Sequence, residues 1–134
     1  MQSVSLPFEI TEVYGGFGQV SGLVSLEKTG VKLEFQAKDS IFGVVKSAVK
    51  EMILPFDQLE RVAYKKGFLG IGAKLVFGVR SMKLLEAIPH NDELELRLSV
   101  KRKHAKAAAQ LIWDLENHMA HQKYLAAIDG PDED

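Results

Sequence analysis

The stretch QVSGLVSLEKTGVKLEFQAK, residues 19–38, predicts a β-hairpin. Its second half alternates strictly between apolar and polar residues, and the apolar side consists of Val31, Leu33, Phe35 and Ala37. Its first half alternates less regularly, and the candidates for its buried side are Val20, Leu26 and either Leu23 or Val24. The turn between the halves ends at Gly30, and glycine accepts the positive φ that closes such turns. The stretch therefore predicts two half-buried antiparallel strands.

Strand patterns continue after the hairpin. Five more segments are rich in strand-forming residues or alternate in polarity: residues 52–56, 57–66, 73–80, 82–88 and 93–100. Residues 39–51 interrupt the series, and their apolar positions at helical spacing predict an insertion with a helical turn or two. Residues 1–18 leave open whether the start of the chain adds an edge strand. The prediction is seven strands in meander order.

The last element has a different period. Between residue 101 and about residue 124, apolar residues recur at helical spacing and form one stripe: Ala105, Ala108, Ile112, Leu115 and Met119. Trp113 flanks this stripe, and we expect it to seal the helix against the strands. The predicted fold is therefore mainly β (α+β), a seven-stranded antiparallel barrel or sandwich capped by one C-terminal amphipathic helix.

Two longer phrases carry a resemblance to a known superfold. They are KSAVKEMILPFDQLERVAYKKGFLGIGAKLVF and LLEAIPHNDELELRLSVKRKHAKAAAQLI. With the order of seven strands and a helix, they resemble pleckstrin-homology-like (PH-like) domains, including the GRAM-type and bacterial branches. More narrowly, they are similar to a group of uncharacterised bacterial proteins of that architecture. The resemblance covers roughly residues 19–120. We expect a PH-like domain over residues 19–124, preceded by an extension over 1–18 and followed by an acidic, flexible tail over 125–134.

Composition indicates a soluble single-domain protein. The 134 residues are 46% hydrophobic and 26% charged, and they include no cysteine, which excludes disulfides and thiolate chemistry. The amino-terminal sequence has no basic start and no long apolar run, so the expected location is the cytoplasm. The formal net charge is −1, and without the four acids of the final DGPDED the remaining chain carries 17 basic and 14 acidic residues. This mild bias predicts no nucleic-acid partner.

The segment KKGFLGIGAKLVF, residues 65–77, places three glycines behind a lysine pair. A phosphate-binding loop requires a helix after its glycines, whereas a strand pattern follows here, so we expect a corner between two strands and no nucleotide. Phe68 and Leu69 occupy the predicted tip, beside Lys65 and Lys66. They could enter an anionic bilayer while the lysines meet headgroups. The alternative is that they pack back on the domain or fill a groove of a neighbouring subunit.

A second basic cluster, KRKHAK, opens the last helix and comprises Lys101, Arg102, Lys103, His104 and Lys106. Cations at a helix amino terminus oppose the helix dipole, and a bound anion, a lipid headgroup or the acidic tail would compensate them. A solvated run of charges is the competing interpretation. The cations that bind phosphoinositides in PH-like domains lie across the first hairpin, which here offers only Lys28 and Lys32, so specific inositol-phosphate binding is not expected.

Catalytic and metal-binding patterns are sparse. Asp114, His118 and His121 could share one helix face as metal ligands, although an exposed polar face is the favoured interpretation. No hydrolase or metalloprotease motif is present, so we expect neither catalysis nor a cofactor. An enzyme on an unrelated small barrel is the weakest of the readings.

The sequence thus favours a non-catalytic interaction module that binds protein, including another copy of itself. The apolar corner and the apolar insertion between Ile41 and Val49 would supply the contact surface. The alternative is peripheral binding to anionic membranes. Its candidate residues are Lys65, Lys66, Phe68, Leu69, Lys101, Arg102, Lys103 and Lys106.

Overall fold

The computed structural model describes residues 5–13, 18–39, 48–67, 71–90, 92 and 94–128. The strands within them are β1 (Leu6–Val13), β2 (Gly18–Leu26), β3 (Gly30–Asp39), β4 (Lys50–Pro55), β5 (Leu59–Lys66), β6 (Ala73–Val79) and β7 (Glu95–Val100), and the helix is α1 (Ala105–Ile128). The strands form one antiparallel sheet in the order β4-β3-β2-β1-β7-β6-β5. The predicted class, mainly β with seven antiparallel strands and a C-terminal helix, is confirmed.

The sheet does not close into the barrel that the sequence suggested. β4 and β5 are its two edges, and within the described residues no strand pairing joins them. α1 packs on β5 and β6 in one half of the sheet and reaches β2 in the other half. Because the helix covers the apolar surface between these halves, water is excluded from the core without closure of the strands.

The hairpin is formed by β2 and β3, which pair along their whole length. Glu27 donates its backbone N–H to the carbonyl oxygen of Gly30 at 2.8 Å and closes the turn. Val24 is fully buried and Leu23 is 39% exposed, which settles the ambiguity of the first half. The alternation predicted for the second half is confirmed, since Val31, Leu33 and Phe35 are buried.

The seven strands are not the seven predicted, because β1 replaces the segment 82–88. The chain start was expected to add at most an edge strand, but β1 lies at the centre of the sheet, between β2 and β7. The predicted strand at 82–88 is wrong: Met82–Leu85 is a 3-10 helix, and Leu85 and Ile88 are buried in the core. Both sides of β7 are occupied, by β1 and β6, so no position beside it is left for this segment.

The glycine-rich corner joins β5 to β6, as predicted, and a strand follows it. Gly67 donates its backbone N–H to the carbonyl oxygen of Gly72 at 3.0 Å. Gly72 has a φ of 67°, in the left-handed region that favours glycine. Gly67 and Gly72 therefore serve chain geometry. Phe68 and Leu69 lie outside the described residues.

The C-terminal helix is amphipathic, as predicted. Its buried side consists of Ala108, Leu111, Ile112 and Leu115, with Met119 packed against the same core. A 3-10 turn over Arg102–His104 precedes it. The helix continues to Ile128, so residues 125–128, which were assigned to the tail, are helical, and 129–134 lie outside the described residues. Most of the predicted insertion, residues 40–47, also lies outside them.

Candidate interaction surfaces

The strand register brings the two lysine groups to one end of the sheet. Lys66 pairs with Ala73, and Ala73 pairs with Val100, which directly precedes Lys101. Adjacent strands lie roughly 4.8 Å apart, so the end of β5 and the end of β7 are separated by only about 10 Å. The group also gains Lys74, which the sequence analysis did not include and which lies directly opposite Lys65 on the same face.

We call this region the basic end. It consists of Lys65, Lys66, Lys74, Lys101, Arg102, Lys103 and Lys106, all of them exposed. In the described part of the chain, none of these side chains forms an ion pair. The region can therefore attract anions, with a strength that falls as salt rises. The expected apolar contribution of Phe68 and Leu69 falls on residues that the structure does not describe and stays a prediction.

A cleft of about 520 Å³ adjoins the basic end. Lys101, Lys103 and His104 contribute to its lining, and so do the carboxylates of Glu9 and Glu34. The rest of the lining comes from β1, β2, β3, β7 and Val49: Pro7, Phe8, Ser21, Gly22, Leu23, Phe35, Gln36 and Ser99. Because acids and bases share one concavity, the acids offset part of the positive potential of the 101–104 run. The cleft itself is a weaker anion site than the basic run alone indicates.

The side of α1 that faces away from the sheet differs most from the expectation drawn from the sequence. Trp113 was expected to seal the helix against the strands, but it is 61% exposed, while Ile112 beside it is 3% exposed. The reason is helical geometry, since consecutive residues are rotated by about 100° and the stripe through Ile112 and Leu115 already faces the core. Tyr124 and Ile128, farther along the helix, are 63% and 59% exposed.

These exposed residues belong to a second stripe along α1. Its members alternate in spacing between three and four residues and are all exposed: Gln110, Trp113, Asn117, Ala120, Tyr124 and Ala127. We call this set the outer stripe. A spacing of this kind is the one with which two helices pack along a shared seam. The edges of the outer stripe carry acidic residues near its start, Asp114 and Glu116, and basic residues near its end, His121 and Lys123.

The distal part of α1 extends away from the sheet. All residues from His121 to Ile128 are exposed. A groove of about 630 Å³ opens between this part of the helix and the β4–β5 connection, and it is lined by Phe56, Met119 and Gln122 among others. The rings of Phe56 and His118 lie 4.0 Å apart at its inner end. About two turns of α1 are therefore accessible from several sides.

The other predicted clusters do not assemble into sites. Asp114 accepts a hydrogen bond from Gln110 at 3.0 Å, while His118 lies against Phe56. Among the described residues, no three histidines or acids are grouped closely enough to hold a metal ion. Lys32 of the first hairpin contacts Glu51 at 3.2 Å, and this hydrogen-bonded charge raises the pKa of Lys32.

Comparison with protein-family models, curated proteins and solved structures found no match for this chain. In the part of the chain that the structure describes, no helix is apolar enough over a sufficient length to cross a bilayer. The surfaces of the molecule are therefore the only guide to its function. Sequence reasoning missed the outer stripe, although Trp113, Ala120 and Tyr124 already carried its spacing.

Proposed function

We propose that this protein is a non-catalytic, PH-like interaction module that binds protein through the outer stripe of α1. One observation carries the proposal: the side of α1 that faces away from the core exposes two large aromatic residues, Trp113 and Tyr124. The buried side holds Ile112 and Leu115 against the core, while Trp113 and Tyr124 are directed into solvent. The PH-like part is supported by the seven-stranded antiparallel sheet and its single capping helix.

The exposed aromatic rings provide a driving force for binding. An aromatic side chain buries roughly 150–250 Å² when it is fully enclosed, and apolar burial contributes about 25 cal/mol per Å². Trp113 and Tyr124 have about three fifths of their surface still exposed. Covering both would contribute on the order of 5 kcal/mol before the costs of association. Tryptophan and tyrosine are also the residues most enriched among strong contributors to protein interfaces.

Photo-crosslinking tests the proposal. A benzophenone amino acid replaces Trp113 in one variant and Gln122, an exposed residue of α1 outside the outer stripe, in a matched control. Both variants are illuminated as purified proteins and in the cells that produce them. We expect protein adducts from position 113 and few from position 122. The absence of adducts from position 113 in both settings would contradict the proposal.

A second candidate function is peripheral binding to anionic membranes through the basic end. The observation that favours it is the register that places Lys66, Lys74 and Lys101 at one end of the sheet. Each basic residue near an anionic surface contributes on the order of 1 kcal/mol. The carboxylates of Glu9 and Glu34 in the adjoining cleft oppose this attraction, which is why we rank this function second.

A further inference from the structure

We infer that the partner of the outer stripe is a second copy of the same chain, and that the two α1 helices pair antiparallel. This inference rests on the proposed function and names the occupant of that surface. The inference follows from which residues of the outer stripe and its edges lie opposite each other when two α1 helices pack antiparallel.

One register satisfies the whole stripe. If Asn117 lies beside Ala120 of the second copy, then Trp113 lies beside Tyr124 of the second copy. Gln110 then lies beside Ala127 of the second copy, and two-fold symmetry repeats each contact. The two large rings therefore meet each other at either end of the seam. The small side chain of Ala120 lets the helices approach closely at the centre, to about 8 Å between axes.

The charges at the edges select the antiparallel direction. In the same register, Glu116 comes within about two residues, or 3 Å along the axis, of Lys123 of the second copy. On the opposite edge, Asp114 falls beside His121 of the second copy at the same offset. Each outer stripe has its acidic residues in one half and its basic residues in the other. Two-fold symmetry repeats both pairs, so the dimer contains four of them. In a parallel arrangement, Lys123 would lie beside Ile128 of the second copy and gain no acidic partner.

Asn117 adds a preference for this alignment. It is the polar residue nearest the centre of the stripe, and a polar side chain within an apolar helical seam fixes register at a cost in stability. The outer stripe spans 18 residues, from Gln110 to Ala127, or about 27 Å of helix. This contact is at the small end of stable interfaces, so we expect a dissociation constant on the order of 10 μM.

Sedimentation analysis of the full chain from about 1 to about 200 μM tests the inference, since this range brackets the expected dissociation constant. The variants are Trp113→Glu, Glu116→Lys, and the double charge swap Glu116→Lys with Lys123→Glu. We expect a monomer–dimer equilibrium for the unmodified protein and loss of the dimer in Trp113→Glu. We also expect about tenfold weaker association in Glu116→Lys and recovery in the double swap. These residues are exposed, so circular dichroism should show an unchanged fold in every variant.

A strict monomer over the whole range would overturn the inference. A dimer that Trp113→Glu leaves intact would also overturn it, because another surface would then be in use. Failure of the double swap to recover association would contradict the antiparallel register. The proposed function is tested separately from the inference. Crosslinks from position 113 to a different protein would support the proposed function even if the chain proved monomeric.

Discussion

Ile112 and Trp113 are neighbours in the chain and lie on different sides of α1, the first buried against the sheet and the second in solvent. The two sides of the helix therefore have different surroundings. The side through Ile112 covers the core that the open sheet leaves exposed, and the side through Trp113 is available for a partner. Substitutions on the two sides should therefore affect different properties of the protein.

Truncation of Leu115 should destabilise the fold. Leu115 is fully buried in α1, so Leu115→Ala should lower the free energy of unfolding by about 2–5 kcal/mol, through lost burial and the cavity left behind. The matched control is Trp113→Ala, which should change it by no more than about 0.5 kcal/mol at concentrations too low for association. Urea denaturation followed by circular dichroism measures both. Equal destabilisation by the two substitutions would show that Trp113 is packed against the core.

The corner between β5 and β6 should be sensitive at Gly72. Its φ of 67° is unfavourable for a residue with a Cβ, so Gly72→Ala should cost about 1–2 kcal/mol of unfolding free energy. Ile71 is exposed beside it, and Ile71→Ala should be close to neutral. Thermal denaturation of the two variants measures the difference. A neutral Gly72→Ala would mean that the corner does not require the left-handed conformation.

The basic end should be tested with vesicles. If it binds membranes, anionic vesicles at low salt should sediment the protein, and Lys66→Glu with Lys101→Glu should abolish this because the register places both residues at one end of the sheet. The control is Lys28→Glu with Lys83→Glu, which makes the same charge change elsewhere. Equally poor capture by neutral and anionic vesicles would reject the membrane function, as would equal loss in both double variants.

Lys32 should titrate at a higher pH than an ordinary lysine. The hydrogen bond and the charge of Glu51, with a further contribution from the charge of Glu34, raise the pKa of Lys32 above its usual value of 10.5. Since the raised pKa belongs to the folded state, the stability it contributes is fully present below pH 10.5 and is lost as the pH rises through the pKa of the folded state. NMR titration of the lysine side chain measures this shift. Glu51→Gln should lower the pKa of Lys32, whereas Glu60→Gln should leave it unchanged.

Local pattern was sufficient for elements that bury one regular face. The alternation of Val31, Leu33 and Phe35 predicted the hairpin, and the 3.6-residue period through Ile112 and Leu115 predicted the buried side of α1. In both cases, one face of the element is buried and the other is more exposed. The period of the apolar residues then indicates which side of the element is buried.

The predictions from the sequence are wrong where pairing between distant strands determines the structure. β1 joins β7 through Glu9 opposite Ser99, and no local pattern states that the first strand will lie beside the last. Once β1 occupies that position, the segment containing Leu85 and Ile88 cannot pair and instead fills the core as a 3-10 turn and loop. Of the barrel and the sandwich that the sequence predicted, the closed barrel does not form, since α1 covers the core in place of strand closure.

The candidate site was predictable only in part. The two lysine groups were visible in the sequence, but their meeting at one end of the sheet depends on the register of β5, β6 and β7. Trp113 was expected to seal the helix against the strands because it flanks the apolar stripe, but the residues of that stripe, including Ile112 and Leu115, make this contact without it. The spacing of the outer stripe was present in the sequence, but its exposure became evident only from the structure.

Fluorescence of Trp113, the single tryptophan of the chain, tests the central claim most directly. At low concentration, we predict red-shifted emission that acrylamide quenches readily, because the ring lies in water. As the concentration rises through the micromolar range, we predict a blue shift and protection from acrylamide, both absent in Tyr124→Glu. Emission typical of a buried ring at the lowest concentration, or emission that stays unchanged while the protein associates, would contradict the account.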